Sequence, residues 1–207
     1  MADDAHLLTD EAALIALYGA PGEASLVKEV DHVHAIYRPF IEAAPFCVLA
    51  TSGPDGLDAS PRGDGPGFVV VEDAQTLLIP DRRGNNRVDS LRNILADPRV
   101  ALLFLIPGIG ETIRVNGRAR LSVDPGLKAR FAVDGKEPRS ILIVTVERVY
   151  FQCSRAVVRA ELWNPETQVA RSALPSAGRI LAAVSASRVG GDDYDRDLPA
   201  RVKATLY

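Results

Sequence analysis

The 207-residue sequence is poor in the features that build disulfide frameworks and membrane spans. Its two cysteines, Cys47 and Cys153, cannot make a disulfide framework. The longest uninterrupted apolar run, Val100–Ile106, has seven residues, whereas a membrane-spanning helix needs roughly 20. Residues Met1–Asp4 form neither a basic nor an apolar segment, so no signal peptide is expected. These absences predict a cytoplasmic globular protein that has no membrane partner.

Histidine and one-sided charge are also scarce. The three histidines, His6, His32 and His34, all lie in the N-terminal region, so neither a metal centre nor a Ser-His-Asp site is expected. No Cys-x-x-Cys pair, Walker phosphate loop or Gly-x-Ser-x-Gly elbow occurs. The 24 basic and 27 acidic side chains leave a net charge of −3, so nucleic acid is not an expected partner.

Helical patterns occupy the first quarter of the chain. Thr9 can cap a helix that ends at Gly19. An apolar stripe then predicts a second helix from about Ser25, which Pro39 should end or kink.

From Phe46 onward, short apolar runs alternate with Gly/Pro turns. The runs predict six or seven strands with a helix at Asn86–Leu95, the clearest being Phe46–Thr51, Phe68–Val71, Thr76–Ile79, Val100–Ile106, Thr112–Leu121 and Ile141–Phe151. With so few helices between them, these strands favour a mainly β fold, an antiparallel barrel with flanking helices. We expect the barrel over residues 45–164, N-terminal helices over 1–44 and a helical extension over 165–207. That extension should end in the polar stretch Gly190–Asp195 and a last turn or two.

The segment Ser60–Phe68 is interpreted as a loop between two strands. Its three glycines and two prolines let the backbone approach a ligand closely and hold its shape. Arg62 within it carries a rigid fork of donors that suits a phosphate. The alternative is a tight connection with a solvent-exposed arginine.

A second candidate anion site lies in the strand–loop–helix segment Pro80–Leu91. The start of the predicted helix offers free backbone N–H groups and the positive end of the helix dipole, an arrangement that binds phosphate. Three arginines lie close to it: Arg82, Arg83 and Arg87. Alternatively, Asn85 or Asn86 is simply the N-cap and the arginines form a solvated face.

Two further segments carry polar or reactive side chains. One face of a predicted strand carries Thr112, Arg114, Asn116 and Arg118, which contact either a ligand or solvent. After the last strand, Trp163 is either a stacking surface or a core anchor, and Cys153 is either activated by Arg155 or a buried thiol. With no acid, base or metal constellation beside these segments, we expect the reactivity to come from a phosphorylated cofactor.

These segments resemble the pyridoxamine 5′-phosphate oxidase-like split-barrel flavoproteins, and within them a subgroup of FMN-dependent enzymes. The resemblance extends from Leu14–Gly19 to Leu206–Tyr207. The motifs that carry it are Val48–Thr51, Asp55–Gly56, Ser60–Asp64, Leu77–Leu91, Asp97–Phe104, Val115–Ala119 and Leu162–Trp163.

The resemblance implies a homodimer of six-stranded split barrels with FMN at the subunit interface. Arg62 and Arg87 are then expected on the FMN phosphate, assisted by Asn85 and Asn86. The reactive edge of the isoalloxazine is expected near the backbone of Gly63, Asp64 and Gly65, and its pyrimidine end near Pro80 and Asp81. The remaining expected contacts are Thr112 and Arg114 on the flavin, with Gln152, Arg155 and Trp163 coming from the second subunit.

The sequence departs from the true oxidases in the residues that seat their vitamin-phosphate substrate. Gly67 stands where a lysine is needed, no histidine follows His34, and Cys153–Arg155 replaces an Arg-x-His pair. We therefore expect an FMN-dependent oxidoreductase acting on another small molecule, with its catalytic residues unassigned. The alternatives are a non-catalytic flavin-binding or carrier module, or the same barrel binding haem or a deazaflavin.

Overall fold

One antiparallel sheet of seven strands forms the centre of the structure, a computed structural model that describes residues 6–207. Residues 1–5, on which the expectation of no signal peptide depends, lie outside the described residues. In chain order the elements are α1 (Glu11–Tyr18), α2 (Glu23–Leu26), α3 (Arg38–Ala43), β1 (Phe46–Gly53), β2 (Gly56–Gly63), β3 (Val70–Asp73), β4 (Thr76–Asp81), α4 (Asp89–Ala96), β5 (Arg99–Leu105), β6 (Thr112–Ser122), α5 (Pro125–Arg130), β7 (Ser140–Gln152), α6 (Arg155–Arg159), α7 (Ala177–Val184) and α8 (Asp192–Ala204). Within 6–207, no helix combines the length and the apolar character that crossing a bilayer requires.

The strands follow the order β2-β1-β5-β6-β7-β4-β3, and every neighbouring pair is antiparallel. The long strands β6 and β7 form the middle of the sheet, with a register shift at Asn116/Gly117. Gly117 is needed there, because a Cβ at this position would lie 2.1 Å from the carbonyl oxygen of Thr145. The expected mainly β fold with flanking helices is confirmed.

The core lies on the inner face of the curved sheet. On β5, Val100, Leu102 and Phe104 are buried while the residues between them are not, as expected for a strand with one covered face. On β4, Leu77 and Ile79 belong to the central core, whereas Leu78 packs with Phe131 in a second, smaller cluster. Both faces of β4 are therefore covered, and burial continues to Pro80, next to the end of the strand.

Strand β2 is the one that the sequence analysis does not list among the clear strands. The interpretation of its second half as part of a loop is wrong. Ser60 to Gly63 pair with Phe46 to Leu49 of β1, and the loop begins only at Asp64. No residue of β2 is buried, since β2 lies at the edge of the sheet. The apolar alternation that reveals a half-buried strand is therefore missing from its sequence.

The long second helix predicted from Ser25 is wrong. The chain leaves the helical conformation after α2, and Val30 forms an isolated bridge with Val149 of β7 through hydrogen bonds of 3.0 and 2.7 Å. Pro39 lies in the first turn of α3 instead of ending a helix, a position where its missing N–H costs nothing. His32 lies in the loop between α2 and α3.

Three other boundaries differ from the prediction. The first helix is confirmed, but Asp10 caps it instead of Thr9, accepting from the N–H of Ala13 at 2.8 Å. Helix α4 begins at Asp89 and not at position 86. The C-terminal extension ends in α8, which begins inside the polar stretch and runs for 13 residues, because three aspartates in its first turn favour a helix N-terminus.

Candidate functional site

A cavity of about 500 Å³, here called the β2–β4 pocket, lies between the edge strand β2 and the loop that joins β4 to α4. It is lined by residues 58–63, Phe68, residues 80–91 and Arg139. Its volume falls within the range of roughly 300–1,000 Å³ that is typical of small-molecule sites. The two anion-site candidates of the sequence analysis, one on each side of this cavity, therefore face a common space.

Positive charge dominates the lining. The arginines are Arg62, Arg82, Arg83, Arg87 and Arg139, and the carboxylates are Asp58, Asp81 and Asp89. A concave site with this excess of guanidinium groups attracts anions, and the planar donor fork of arginine matches a phosphate.

Arg62 links β2 to the end of β4. Its Nη1 donates to Asp81 Oδ1 at 2.6 Å, and the two side chains are only 18% and 13% exposed. The Nε of the same guanidinium is buried and has no hydrogen-bond partner among the described residues. A buried donor without an acceptor is unfavourable, so Arg62 retains capacity for a further negatively charged group.

Arg82 is held on the other side of the loop. Its Nε donates to Asp64 Oδ2 at 2.7 Å, and its Nη1 donates to the carbonyl oxygen of Phe131 at 2.6 Å. The Tyr207 hydroxyl donates to Asp64 Oδ1 at 2.7 Å, and the Tyr207 ring lies 5.4 Å from the Arg82 guanidinium. Burial raises the pKa of Asp64, but the hydrogen bonds from Tyr207, Gly65 and Arg82 outweigh it, so the net pKa lies below its usual range. The same contact with Asp64 raises the pKa of Tyr207.

The loop between β4 and α4 adopts strained backbone conformations beside the cavity. Asn86 has φ +61° and Val88 has φ +53°, and this left-handed region is unfavourable for a β-branched residue such as valine. Val88 is also the N-cap of α4. The alternative in which Asn85 or Asn86 is the N-cap is therefore wrong. Strain of this kind clusters at functional sites, where the surrounding structure maintains it.

The N-terminus of α4 opens into the same cavity. No side chain caps it within the described part of the chain, and residues 89–91, whose N–H groups have no partner inside a helix, line the pocket. Arg87, whose side chain is 75% exposed, donates from Nε to Asp89 Oδ2 at 2.7 Å, and this hydrogen bond raises the pKa of Arg87. The two terminal nitrogens of Arg87 remain for a ligand.

Sequence reasoning missed two parts of the pocket. Arg139 lies just before β7, and its Nη1 donates to Asn86 Oδ1 at 3.0 Å. Ser90 is buried, and its hydroxyl donates to Asp58 Oδ2 at 2.6 Å. Arg139 stands in no motif that signals a site, and Ser90 lies within the candidate segment Pro80–Leu91 but has no residue type that marks it there. Each makes its contact with a distant part of the chain.

The candidate residues divide into two groups in space. Seven of them line the β2–β4 pocket: Arg62, Gly63, Pro80, Asp81, Asn85, Asn86 and Arg87. Asp64 and Gly65 lie just outside it, where Asp64 holds Arg82. The remaining candidates, Thr112, Arg114, Gln152, Arg155 and Trp163, do not line this pocket.

That second group gathers at the start of β6 and the end of β7. Thr112 pairs with Gln152 across the two strands, and Arg114 Nη1 donates to the Tyr150 hydroxyl at 2.8 Å. Trp163 is partly exposed and donates from Nε1 to the carbonyl oxygen of Ile109 at 2.8 Å, so it is not a core anchor. Within one chain, these side chains and the β2–β4 pocket form separate sites.

The two thiols differ in their surroundings. Burial raises the pKa of Cys47 to about 12, with the charge of Arg62 acting weakly in the opposite direction. Cys47 therefore stays protonated at neutral pH and is no nucleophile. Cys153 is exposed, so the expectation of a buried thiol at this position is wrong.

Comparison with protein-family models gives a match that covers more than half of the chain. A family model described as pyridoxamine 5′-phosphate oxidase matches residues 33–153, a span that includes all seven strands. No curated protein matches the sequence.

Several solved structures are similar to this chain. A variant of HupZ from Group A Streptococcus is 15% identical, with 58% of this chain and 99% of that chain covered and a TM-score of 0.48. A Clostridium acetobutylicum protein related to general stress protein 26 is 13% identical, with 56% and 84% covered and a TM-score of 0.44. An FMN-binding protein from Syntrophomonas wolfei is 13% identical, with 55% and 86% covered and a TM-score of 0.41.

Proposed function

Because this chain belongs to the pyridoxamine 5′-phosphate oxidase family, we propose that it binds FMN in the β2–β4 pocket and acts as an FMN-dependent oxidoreductase on a small molecule. The observation that carries the proposal is the convergence of five arginines and an uncapped helix N-terminus on one cavity. Both features recognise phosphate, and Arg62 and Arg139 join them from distant parts of the chain.

Several groups are suited to hold the phosphate of FMN. The exposed terminal nitrogens of Arg87 and the N–H groups at the start of α4 lie on one side of the cavity. Arg62 lies across from them, fixed by Asp81 and still carrying an unsatisfied Nε. The amides of Asn85 and Asn86 complete this set of polar groups. The donor set therefore fits a doubly charged phosphate.

In the family the flavin lies at a subunit interface, so one chain is expected to supply only part of the contacts to the isoalloxazine. We assign its reactive edge to the backbone of Gly63–Gly65 and its pyrimidine end to Pro80 and Asp81, as in the family. The group at the start of β6 and the end of β7 does not line this pocket within one chain, although the family places such residues on the flavin. A homodimer in which Gln152, Arg155 and Trp163 approach from the second subunit resolves this mismatch, and we propose that arrangement.

Bound FMN would supply the redox chemistry, accepting and donating a hydride or two single electrons through N5. The residues of the chain bind and orient it. Phe68 is buried in the pocket wall and excludes water there, while the arginines neutralise the phosphate. The thiol of Cys47, held neutral by its raised pKa, takes no part in proton transfer.

One observation favours a second candidate, a flavin-binding or carrier module without turnover. Each carboxylate that lines the pocket is already engaged, Asp58 by Ser90, Asp81 by Arg62 and Asp89 by Arg87. No free acid or base is therefore evident among the described pocket residues. Steady-state oxidation of a reduced nicotinamide well above the rate of free FMN would exclude this second candidate.

The proposal is tested first by the visible spectrum of the purified, tag-free protein and by identifying the molecule that heat releases from it. We expect flavin absorption bands and about one FMN per chain. A haem spectrum or a released deazaflavin would replace the cofactor assignment. A colourless protein that also fails to bind added FMN would refute it.

A further inference from the structure

A second, smaller cavity adjoins the β2–β4 pocket. It measures about 260 Å³ and lies between Arg82–Arg83, residues 136–139 and the ring of Tyr207, and we call it the Tyr207 pocket. Arg82, Arg83 and Arg139 line both cavities, so the two form neighbouring compartments of one concave surface. Lys136 and Tyr207 line only the smaller one, whereas Arg87 lines only the larger one.

The Tyr207 pocket has an unbalanced positive charge. Among its four cationic side chains, Arg82 is neutralised by Asp64, which lies outside the lining. The pocket is lined by one carboxylate, Glu137, which already pairs with Lys128 at 3.3 Å. Lys128 itself does not line the pocket. The three cations that remain, Arg83, Lys136 and Arg139, have no ion pair within residues 6–207. Three like charges around one cavity repel each other unless an anion is present.

The frame around these cations is fixed by local structure. The backbone groups of Val133 and Lys136 exchange hydrogen bonds of 3.0 and 2.9 Å, which closes a tight turn just before β7. On the opposite wall, the Tyr207 ring is held by its hydroxyl on Asp64 and by its stacking on Arg82. These contacts fix the walls of the cavity, so less ordering is needed when a ligand binds.

We propose that the Tyr207 pocket, beside the cofactor pocket, binds a phosphate or carboxylate group of a small-molecule ligand. Arginine and lysine together suit such a group, since the guanidinium of Arg83 or Arg139 offers paired donors and Lys136 a mobile point charge. The anion belongs either to a separate molecule, such as the substrate, or to the tail of a cofactor longer than FMN. Both sources share this chemistry, and the larger pocket shares three arginines with the smaller one.

The test is a calorimetric titration of inorganic pyrophosphate into the full chain saturated with FMN. We expect about one pyrophosphate per chain, and an affinity that falls roughly tenfold in Lys136→Ala, since one charged contact is lost. The matched control is Lys203→Ala, which removes an exposed lysine from the last turn of α8 and should leave binding unchanged. Lys136→Ala should leave FMN binding unchanged, and Arg87→Ala should weaken FMN binding but not pyrophosphate binding.

Two results would overturn the inference. One is pyrophosphate binding only to the flavin-free chain, in competition with FMN, and the other is equal pyrophosphate affinity in Lys136→Ala and Lys203→Ala. Should the chain not bind FMN at all, the same titration of the protein as purified still tests the Tyr207 pocket, so the two failures are distinguishable. Binding of FAD identifies the source of the anion: Lys136→Ala weakens FAD binding only when the cofactor tail occupies this pocket.

Discussion

Replacing Arg87 by alanine separates FMN binding from folding. Arg87 is 75% exposed, and its ion pair with Asp89 lies only two residues away in the sequence. An exposed local pair contributes little to stability, so Arg87→Ala should unfold at nearly the wild-type temperature. The variant therefore reports on the ligand and not on the fold.

The size of the effect follows from what Arg87 has available. One nitrogen is engaged by Asp89, which leaves the terminal pair for a single bidentate contact with phosphate. Loss of a charge-assisted contact weakens binding roughly tenfold to a hundredfold. Because Arg62 and the N–H groups of α4 remain, we expect the lower end, about tenfold.

The assay titrates FMN into flavin-free protein and detects binding by the quenching of flavin fluorescence. A thermal melt of each sample reports on folding. Arg99→Ala is the matched control, since Arg99 is similarly exposed at 69% and pairs with Asp97, two residues away, outside the pocket. If Arg87→Ala binds FMN as tightly as Arg99→Ala, the phosphate does not lie at the start of α4 and the placement is wrong.

Three further predictions concern stability. Asp81→Asn should lower the free energy of unfolding of the flavin-free chain by about 2 kcal/mol in urea, because Arg62 keeps a partly buried charge without its partner; an unchanged value would mean that the pair is not formed in solution. Val88→Asn should raise the free energy of unfolding by about 1 kcal/mol, since asparagine tolerates the left-handed conformation, and a loss of stability would refute the strain. Because the pKa of Asp64 is depressed in the folded state, the ionised carboxylate stabilises the fold at pH values above the usual carboxyl pKa. This contribution is lost as the pH falls through the depressed pKa. Tyr207→Phe should raise that pKa and flatten the acid limb of the stability curve below the usual carboxyl pKa, whereas a curve parallel to the wild type would contradict the contact.

The strands with one buried face could be predicted from the sequence, and the exposed one could not. On β5 and β6 apolar and polar residues alternate, as the core on one side requires. Strand β2 has no buried residue and carries Pro61, so its sequence has the composition of a loop. The predicted helix after Ser25 is wrong because its local pattern is helical but a distant contact decides the structure. Two hydrogen bonds between Val30 and Val149 override the helical pattern.

The candidate site shows the same division between local and distant contacts. Arg82, Arg83 and Arg87 lie within one short segment, so their proximity could be predicted from their spacing, and all three line the β2–β4 pocket. By contrast, the contact between Arg139 and Asn86 spans 53 residues, and the contact between Tyr207 and Asp64 spans 143. Nothing in the local sequence signals such pairs, since they depend on how the barrel closes.

The position of the β2–β4 pocket has a consequence for how the molecule opens. Strand β2 ends the sheet on one side, and β4 is next to the last strand on the other, so no ladder of backbone hydrogen bonds joins them. Their described link includes the side-chain contact of Arg62 with Asp81. A ligand that contacts both β2 and the end of β4 would hold them together. It would slow amide hydrogen exchange in β2 and stabilise the native state by mass action. Substitutions that weaken the contacts with the ligand at this boundary would also let β2 and β4 separate more often. Ligand affinity and resistance to proteolysis would therefore change together in evolution.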